Sequence, residues 1–309
     1  MPAPSDPATL AAAAADGDRR ALARLITALE EGVSGHEQAL AVSFAAAVPA
    51  HRIGITGSPG AGKSTLTDCL VRLIRAAGER VAVLAVDPTS PFSGGAVLGD
   101  RVRMQDHVLD DGVYVRSMAS RGHLGGLSAA APKALLALEA ARFPYVIVET
   151  VGVGQDEVEI AAAADTVVVV VTPGWGDGVQ TAKAGILEIG DVFSVNKADR
   201  PGTADTVADL RGMLSLGNHG AWEPPIVETV ATTGSGVEAL WAAIRSHHST
   251  LGPQGVERQR TGRRRAEMIT ALADILHGRA IHLAEGSDVT AAVAAGEIDP
   301  WTGARLLAG

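Results

Sequence analysis

From His51 onward the apolar positions alternate between two kinds of run. Short, β-branched stretches read as strands: HRIGITG, RVAVLAVD, GVYVRSM, YVIVET, DTVVVVVTP, DVFSVNK and PPIVETVA. Between most of them the spacing of apolar residues turns helical, over 63–77, 127–142, 155–164, 181–189, 203–215 and 236–248. Strands that are apolar on both faces, joined through helices, predict crossover connections and a largely parallel sheet covered on both sides. The first fifty residues read differently, as a proline-containing tail followed by the Ala-rich helices DRRALARLITALEEG and GHEQALAVSFAAAV. Past Leu251 the strand signals stop. ERQRTGRRRAEMITALADIL reads as a helix with a basic start, and DVTAAVAAGEIDPWTGARLL as two short helices around a turn at Glu297–Pro300. The expected organisation is a helical extension over 1–50, a nucleotide-binding α/β domain over 51–250 and a helical segment over 251–309.

Composition narrows the function classes. Hydrophobic residues make up 47% of the 309 residues but aromatics only 3%, so the core has to be built from Ala, Val, Leu and Ile. A net charge of −9 argues against a nucleic-acid partner. Cys69 is the one cysteine, which excludes an intrachain disulfide framework and a multi-cysteine metal site. The start of the chain lacks the basic region of a secretory signal, and TVVVVVTP is too short to span a bilayer. A cytoplasmic location without a membrane partner is the expectation.

The candidate chemistry begins with ITGSPGAGKSTLTD, Ile55 to Asp68. A strand runs into a glycine-rich turn and then into a helix, and the turn fits G-x-x-x-x-G-K-[ST] with Gly57, Gly62, Lys63 and Ser64. A phosphate chain has to lie against backbone here, so Gly57, Gly60 and Gly62 remove side chains. The amides of Ser58, Pro59's neighbours, Ala61 and Thr65 belong to the same cradle, backed by the helix dipole. Lys63 suits the terminal phosphates and Ser64 a Mg²⁺ ion. Further on, VFSVNKAD ends a strand with Asn196, Lys197 and Asp199. A carboxylate at Asp199 can accept from both the ring N–H and the 2-amino group of guanine, whereas adenine would leave it unmatched. The expected nucleotides are therefore GTP and GDP, with a backbone N–H of the Ala231 region, in ETVATTGSG, near the guanine carbonyl.

Acidic residues at the carboxyl ends of parallel strands face the ligand crevice. VAVLAVD ends in Asp87 and YVIVET carries Glu149; a third acid, Asp100, lies in LGDRVRM. Switch GTPases commonly carry Asp-x-x-Gly where this chain has Glu149-Thr150-Val151-Gly152, so Gly152 keeps the amide that senses the γ-phosphate while Glu149 reaches farther toward the metal. Asp87, Asp100, Glu149 and Ser64 form the expected metal neighbourhood. Val153 follows Gly152 and Gln155 is displaced by two, so the water-positioning glutamine has no counterpart and intrinsic hydrolysis should be slow.

Taken in order, GSPGAGKST, VDPTSPFSGGAVLGDRVRM, SRGHLGGL, ETVGVGQDE, TPGWGDGVQTAKAGILEIGD and NKAD resemble the MeaB/ArgK family of P-loop GTPases, over residues 20–309. The resemblance implies a P-loop NTPase fold of the SIMIBI type, GTP and Mg²⁺ as ligands, and GTP hydrolysis. It implies service to a separate adenosylcobalamin-dependent acyl-CoA mutase, with cobalamin involved only through that partner. The client is typically methylmalonyl-CoA mutase, with the isobutyryl-, hydroxyisobutyryl- and ethylmalonyl-CoA enzymes as alternatives. It also implies a homodimer joined through C-terminal helices. By the same resemblance PGWGDGVQTAK is a mobile coupling segment from which Gln180 and Lys183, on one helical face, act in catalysis beside Lys63 and Glu149. Two other readings stay open at this point. A metallochaperone GTPase would need a Cys/His store, and only Cys69 and the pair His247–His248 stand out; a stand-alone P-loop kinase would need an acceptor site, for which there is no signature. ERQRTGRRR reads as a solvated basic helix start or as a docking patch.

Overall fold

The computed structural model describes residues 6–87, 107, 109–119, 130–150, 160, 162–175, 185, 187–217 and 222–308. Their centre is a sheet of seven strands: β1 (His51–Gly57), β2 (Val81–Asp87), β3 (Val113–Ala119), β4 (Tyr145–Thr150), β5 (Thr166–Val171), β6 (Val192–Asn196) and β7 (Ile226–Thr229). The order across the sheet is β3-β2-β4-β1-β5-β6-β7, and every neighbouring pair is parallel. All seven strand expectations are met. β1 sits between β4 and β5, with Ile55 in register with Glu149 on one side and Val168 on the other.

Side chains of successive strand residues leave opposite faces, and the core divides accordingly. Val167, Val169 and Val171 of β5 join one apolar cluster, while Val168 and Val170 join the other. The first cluster is closed by α1 (Pro7–Ala15), α2 (Arg19–Glu31), α3 (His36–Ala46), α5 (Ala131–Ala140) and α6 (Thr203–Leu214). The second is closed by α4 (Lys63–Ala76) and the first part of α7 (Val237–Ala284), which contributes Leu240, Trp241 and Ile244. The N-terminal helices thus share the core of the sheet. α1 lies within the stretch whose prolines suggested a tail. It forms because Asp6 caps it by accepting from the Thr9 amide, Pro7 takes the first-turn position where no donor is needed, and Leu10, Ala11 and Ala14 become buried.

Side-chain pairs fix these layers. Arg52 of β1 and Glu139 of α5 form a buried ion pair at 2.9 Å, doubled by an Arg52 Nε contact at 2.9 Å. Arg116 of β3 reaches Glu30 of α2 at 3.0 Å. At the amino-terminal edge of the sheet, Thr166 Oγ1 lies 3.0 Å from His51 Nε2 and 2.9 Å from His247 Nδ1. Burial pushes the His247 imidazole down to about 4 and the Asp191 carboxyl beside it up to about 6.

The chain divides into two compact units, Met1–Val256 and Glu257–Gly309. The helical run α7 is interrupted at Gly252 (φ 61, ψ 175), next to Pro253. The second unit holds the remainder of α7, then α8 (Asp288–Ala294) and α9 (Pro300–Ala308), with Ser287 capping α8. The two short helices around a turn are as expected; the helix before them extends beyond the expected Leu276 to Ala284. Most of the expected helices 155–164 and 181–189 lies outside the described residues. Among the described residues no helix is long and apolar enough to cross a membrane.

Candidate functional site

The loop after β1 lies at the middle of the sheet's carboxyl edge and opens α4. Two of its glycines are required by their surroundings. A Cβ on Gly57, whose φ is +131°, would stand 2.0 Å from the Val170 carbonyl oxygen; a Cβ on Gly62, with φ +93°, would stand 2.4 Å from Asn196 Nδ2. Backbone therefore lines the loop where side chains would otherwise intrude. Lys63 is buried at the helix start, and its ammonium donates to the carbonyls of Gly57 at 2.7 Å and Ser58 at 3.2 Å. The amine thus stands at the mouth of the loop, beside the dipole of α4.

The neighbouring strand β4 brings Glu149 to the same place. Its carboxylate is buried, with Oε1 accepting from Ser64 Oγ at 2.5 Å and Oε2 from Thr67 Oγ1 at 2.9 Å. Ser64 and Thr67 sit one turn apart on α4, so one helix face presents both hydroxyls. The Glu149 carboxylate and the Ser64 hydroxyl together make an all-oxygen donor set, which suits a hard cation such as Mg²⁺. The glycine-lined loop, the buried ammonium and this donor set fit a nucleoside phosphate with its Mg²⁺.

On the other side, β6 ends in Asn196. Its Nδ2 donates to the Ala61 carbonyl at 2.7 Å, while Oδ1 accepts from Thr229 Oγ1 at 3.2 Å and from the Ala231 amide at 3.1 Å. Lys197 follows with φ +61°, and its Nζ donates to the Gly60 carbonyl at 2.6 Å. Asp199 is exposed two residues on. Cys69 of α4 donates its thiol to the Ala231 carbonyl at 3.1 Å; burial raises the thiol's pKa, the Asp68 charge adds to that rise, and Arg72 opposes it.

Of the residues expected at the site, the structure brings together Gly57, Ser58, Pro59, Gly60, Ala61, Gly62, Lys63, Ser64, Thr65, Glu149, Asn196, Lys197 and Ala231 at one edge of the sheet. Asp87 ends β2 at that edge, with Val86 in register with Thr150, though its side chain lies outside the description. Asp100, Gly152, Gln180 and Lys183 lie outside the described residues. At the start of the expected coupling segment, the Gly174 amide donates to Thr206 Oγ1 at 3.2 Å and Trp175 packs on the core. The Ala231 amide, in the stretch expected to meet the guanine carbonyl, donates to Asn196 Oδ1 at 3.1 Å. Thr67 escaped the sequence reading, since a threonine inside a helix has no distinctive spacing.

A parallel sheet with a strand–glycine loop–helix at its centre, a buried lysine, and an Asn-Lys-x-Asp strand end defines a P-loop GTPase. The profile described as Methylmalonyl Co-A mutase-associated GTPase MeaB matches residues 22–282, and the chain belongs to that family. A candidate GTPase of Pyrococcus horikoshii is 48% identical over 298 residues, 94% of each chain. A fused isobutyryl-CoA mutase of Cupriavidus metallidurans is 43% identical over 253 residues, 78% of this chain and 22% of that protein. The crystal structure of an LAO/AO transport system kinase is similar with a TM-score of 0.69 and 27% identity, covering 98% of this chain and 97% of that one. The protein is thus a GTPase, hydrolysing GTP to GDP and phosphate.

The Gly57 environment leads to a direct test. Gly57→Ala forces a methyl group onto the Val170 carbonyl, and should cost on the order of 3 kcal/mol in urea unfolding and abolish GDP binding by calorimetry. Gly60→Ala meets nothing within 4 Å of its Cβ and should cost only ~1 kcal/mol.

Proposed function

We propose that this GTPase is a chaperone of an adenosylcobalamin-dependent acyl-CoA mutase, gating cofactor loading and protecting or reactivating the mutase. The observation that carries this reading is the segment, 43% identical to this chain, built into a fused isobutyryl-CoA mutase. A fusion keeps two activities at a high effective concentration, which suits partners that otherwise meet as separate chains. The family description names methylmalonyl-CoA mutase, which is the first candidate client; isobutyryl-CoA mutase is the second. Affinity purification of the tagged chain from its native cells, followed by mass spectrometry, should recover an acyl-CoA mutase subunit whose yield changes between GDP and a non-hydrolysable GTP analogue. Recovery of no mutase with either nucleotide would sink the reading.

In this reading, the loop Gly57–Thr65 cradles the phosphates and Lys63 neutralises their charge. Ser64 and Glu149 would hold Mg²⁺, with Asp87 and Asp100 nearby; bound there, the cation would supply positive charge for the phosphoryl oxygens. Gly152 senses the γ-phosphate, Gln180 and Lys183 complete the catalytic set when the mutase is bound, and Asp199 reads guanine. The exposed position of Asp199, beyond the braced Asn196, supports that last role. Asp199→Asn should weaken GTP binding by ~2–3 kcal/mol and relax discrimination toward xanthine nucleotides, whose 2-oxo group suits an amide donor. Unchanged GTP affinity by calorimetry would reject the assignment.

The second unit supports a homodimer. Met268, Ile269, Leu272, Ile275, Leu276 and Leu283 are each about half exposed along the remainder of α7. An apolar stripe of that extent fits a second copy of the same helix. A Leu272→Glu, Ile275→Lys double variant should sediment as a monomer where the parent sediments as a dimer; a monomeric parent would overturn the proposal.

A further inference from the structure

Glu149 has one more side-chain torsion to fix than the aspartate usual at this position, so its carboxylate needs more than strand geometry to stay in place. The structure meets that need from α4. Ser64 binds one oxygen at 2.5 Å and Thr67 binds the other at 2.9 Å. Thr67 is fully buried, and its β-branched side chain is restricted about χ1 in a helix. Thr67 lies beyond the glycine-lysine-serine motif and no phosphate-binding rule calls for a hydroxyl there. We infer that Thr67 is a positioning residue for the cation site: by holding Oε2 it keeps Oε1 and Ser64 Oγ turned toward one point. The inference rests on Ser64 and Glu149 as the pair that holds Mg²⁺.

A hydroxyl in that role acts like the partners that orient metal ligands from behind, whose loss commonly weakens metal binding 10- to 100-fold. A hydroxyl that only satisfies a buried carboxylate would affect stability and leave metal binding alone. The two roles separate in a binding experiment. GDP affinity is measured by calorimetry in saturating Mg²⁺ and again in EDTA, for the parent, Thr67→Val, Thr67→Ser and Ser64→Ala. The ratio of the two affinities reports the coupling between cation and nucleotide and cancels changes common to both conditions. Thr67→Val should lower that ratio about tenfold with the EDTA affinity unchanged. Thr67→Ser should restore it, and Ser64→Ala should lose it as well. A Thr67→Val protein with the parental ratio, beside a Ser64→Ala protein that has lost it, overturns the inference and leaves the cation pair standing. A parental ratio in Ser64→Ala as well removes the pair and the inference with it. An equal loss of affinity in Mg²⁺ and in EDTA marks Thr67 as structural and also overturns the inference. If Thr67→Val fails to fold at 25 °C, Thr67→Ala takes its place with the same outcomes.

Discussion

The site depends on one buried carboxamide. Asn196 donates to the Ala61 carbonyl and accepts from Thr229 and from the Ala231 amide, so a single side chain joins the phosphate loop, the end of β6 and the turn after β7. In a dry interior such bonds are stronger than in water, and an unpaired end would be costly. The same contact explains Gly62: any larger residue there would collide with Asn196 Nδ2. The glycine loop, the end of β6 and the turn after β7 are thereby tied together through one side chain.

Parallel topology brings these parts together. Strands running the same way place all their carboxyl ends on one edge, and crossovers return the chain to the opposite edge each time. β1 occupies the middle, so its loop has β4 and Glu149 on one flank and the β5–β6–β7 side on the other. Glu149 and the Asn-Lys-x-Asp strand end thus fall on opposite sides of the glycine loop. The ion pair Arg52–Glu139 and the hydroxyl–imidazole contacts at Thr166 hold the far end of the same central strands, so the loop edge is supported from below.

Most of this architecture was legible in the sequence because its causes are local. A run such as TVVVVV has few fates other than a strand buried on both faces, and GSPGAGKST combines glycines with a lysine in an order that serves few purposes. What escaped depends on contacts between distant residues. Thr67 acquires a role only because Glu149, far along the chain, folds against it. The bond from the Ala231 amide to Asn196 likewise joins residues far apart in the chain, beyond the reach of local spacing. The helix from Pro7 looked like a tail because prolines and alanines carry little amphipathic signal; burial against the other helices decides its fate.

The central place of β1 also has a consequence for how the protein is made. Both of its sheet neighbours lie far downstream, β4 from Tyr145 and β5 from Thr166. A ribosome adding about 5–20 residues per second leaves β1 without a ladder partner for on the order of ten seconds. During that time Ile53 and Ile55, later fully buried, remain available to any other apolar surface. Long-range parallel pairing is also slow to form once the strands exist. The arrangement that gives the finished enzyme its central loop therefore leaves an apolar strand uncovered during synthesis, so expression rate and growth temperature should affect yield more than the stability of the completed fold would suggest.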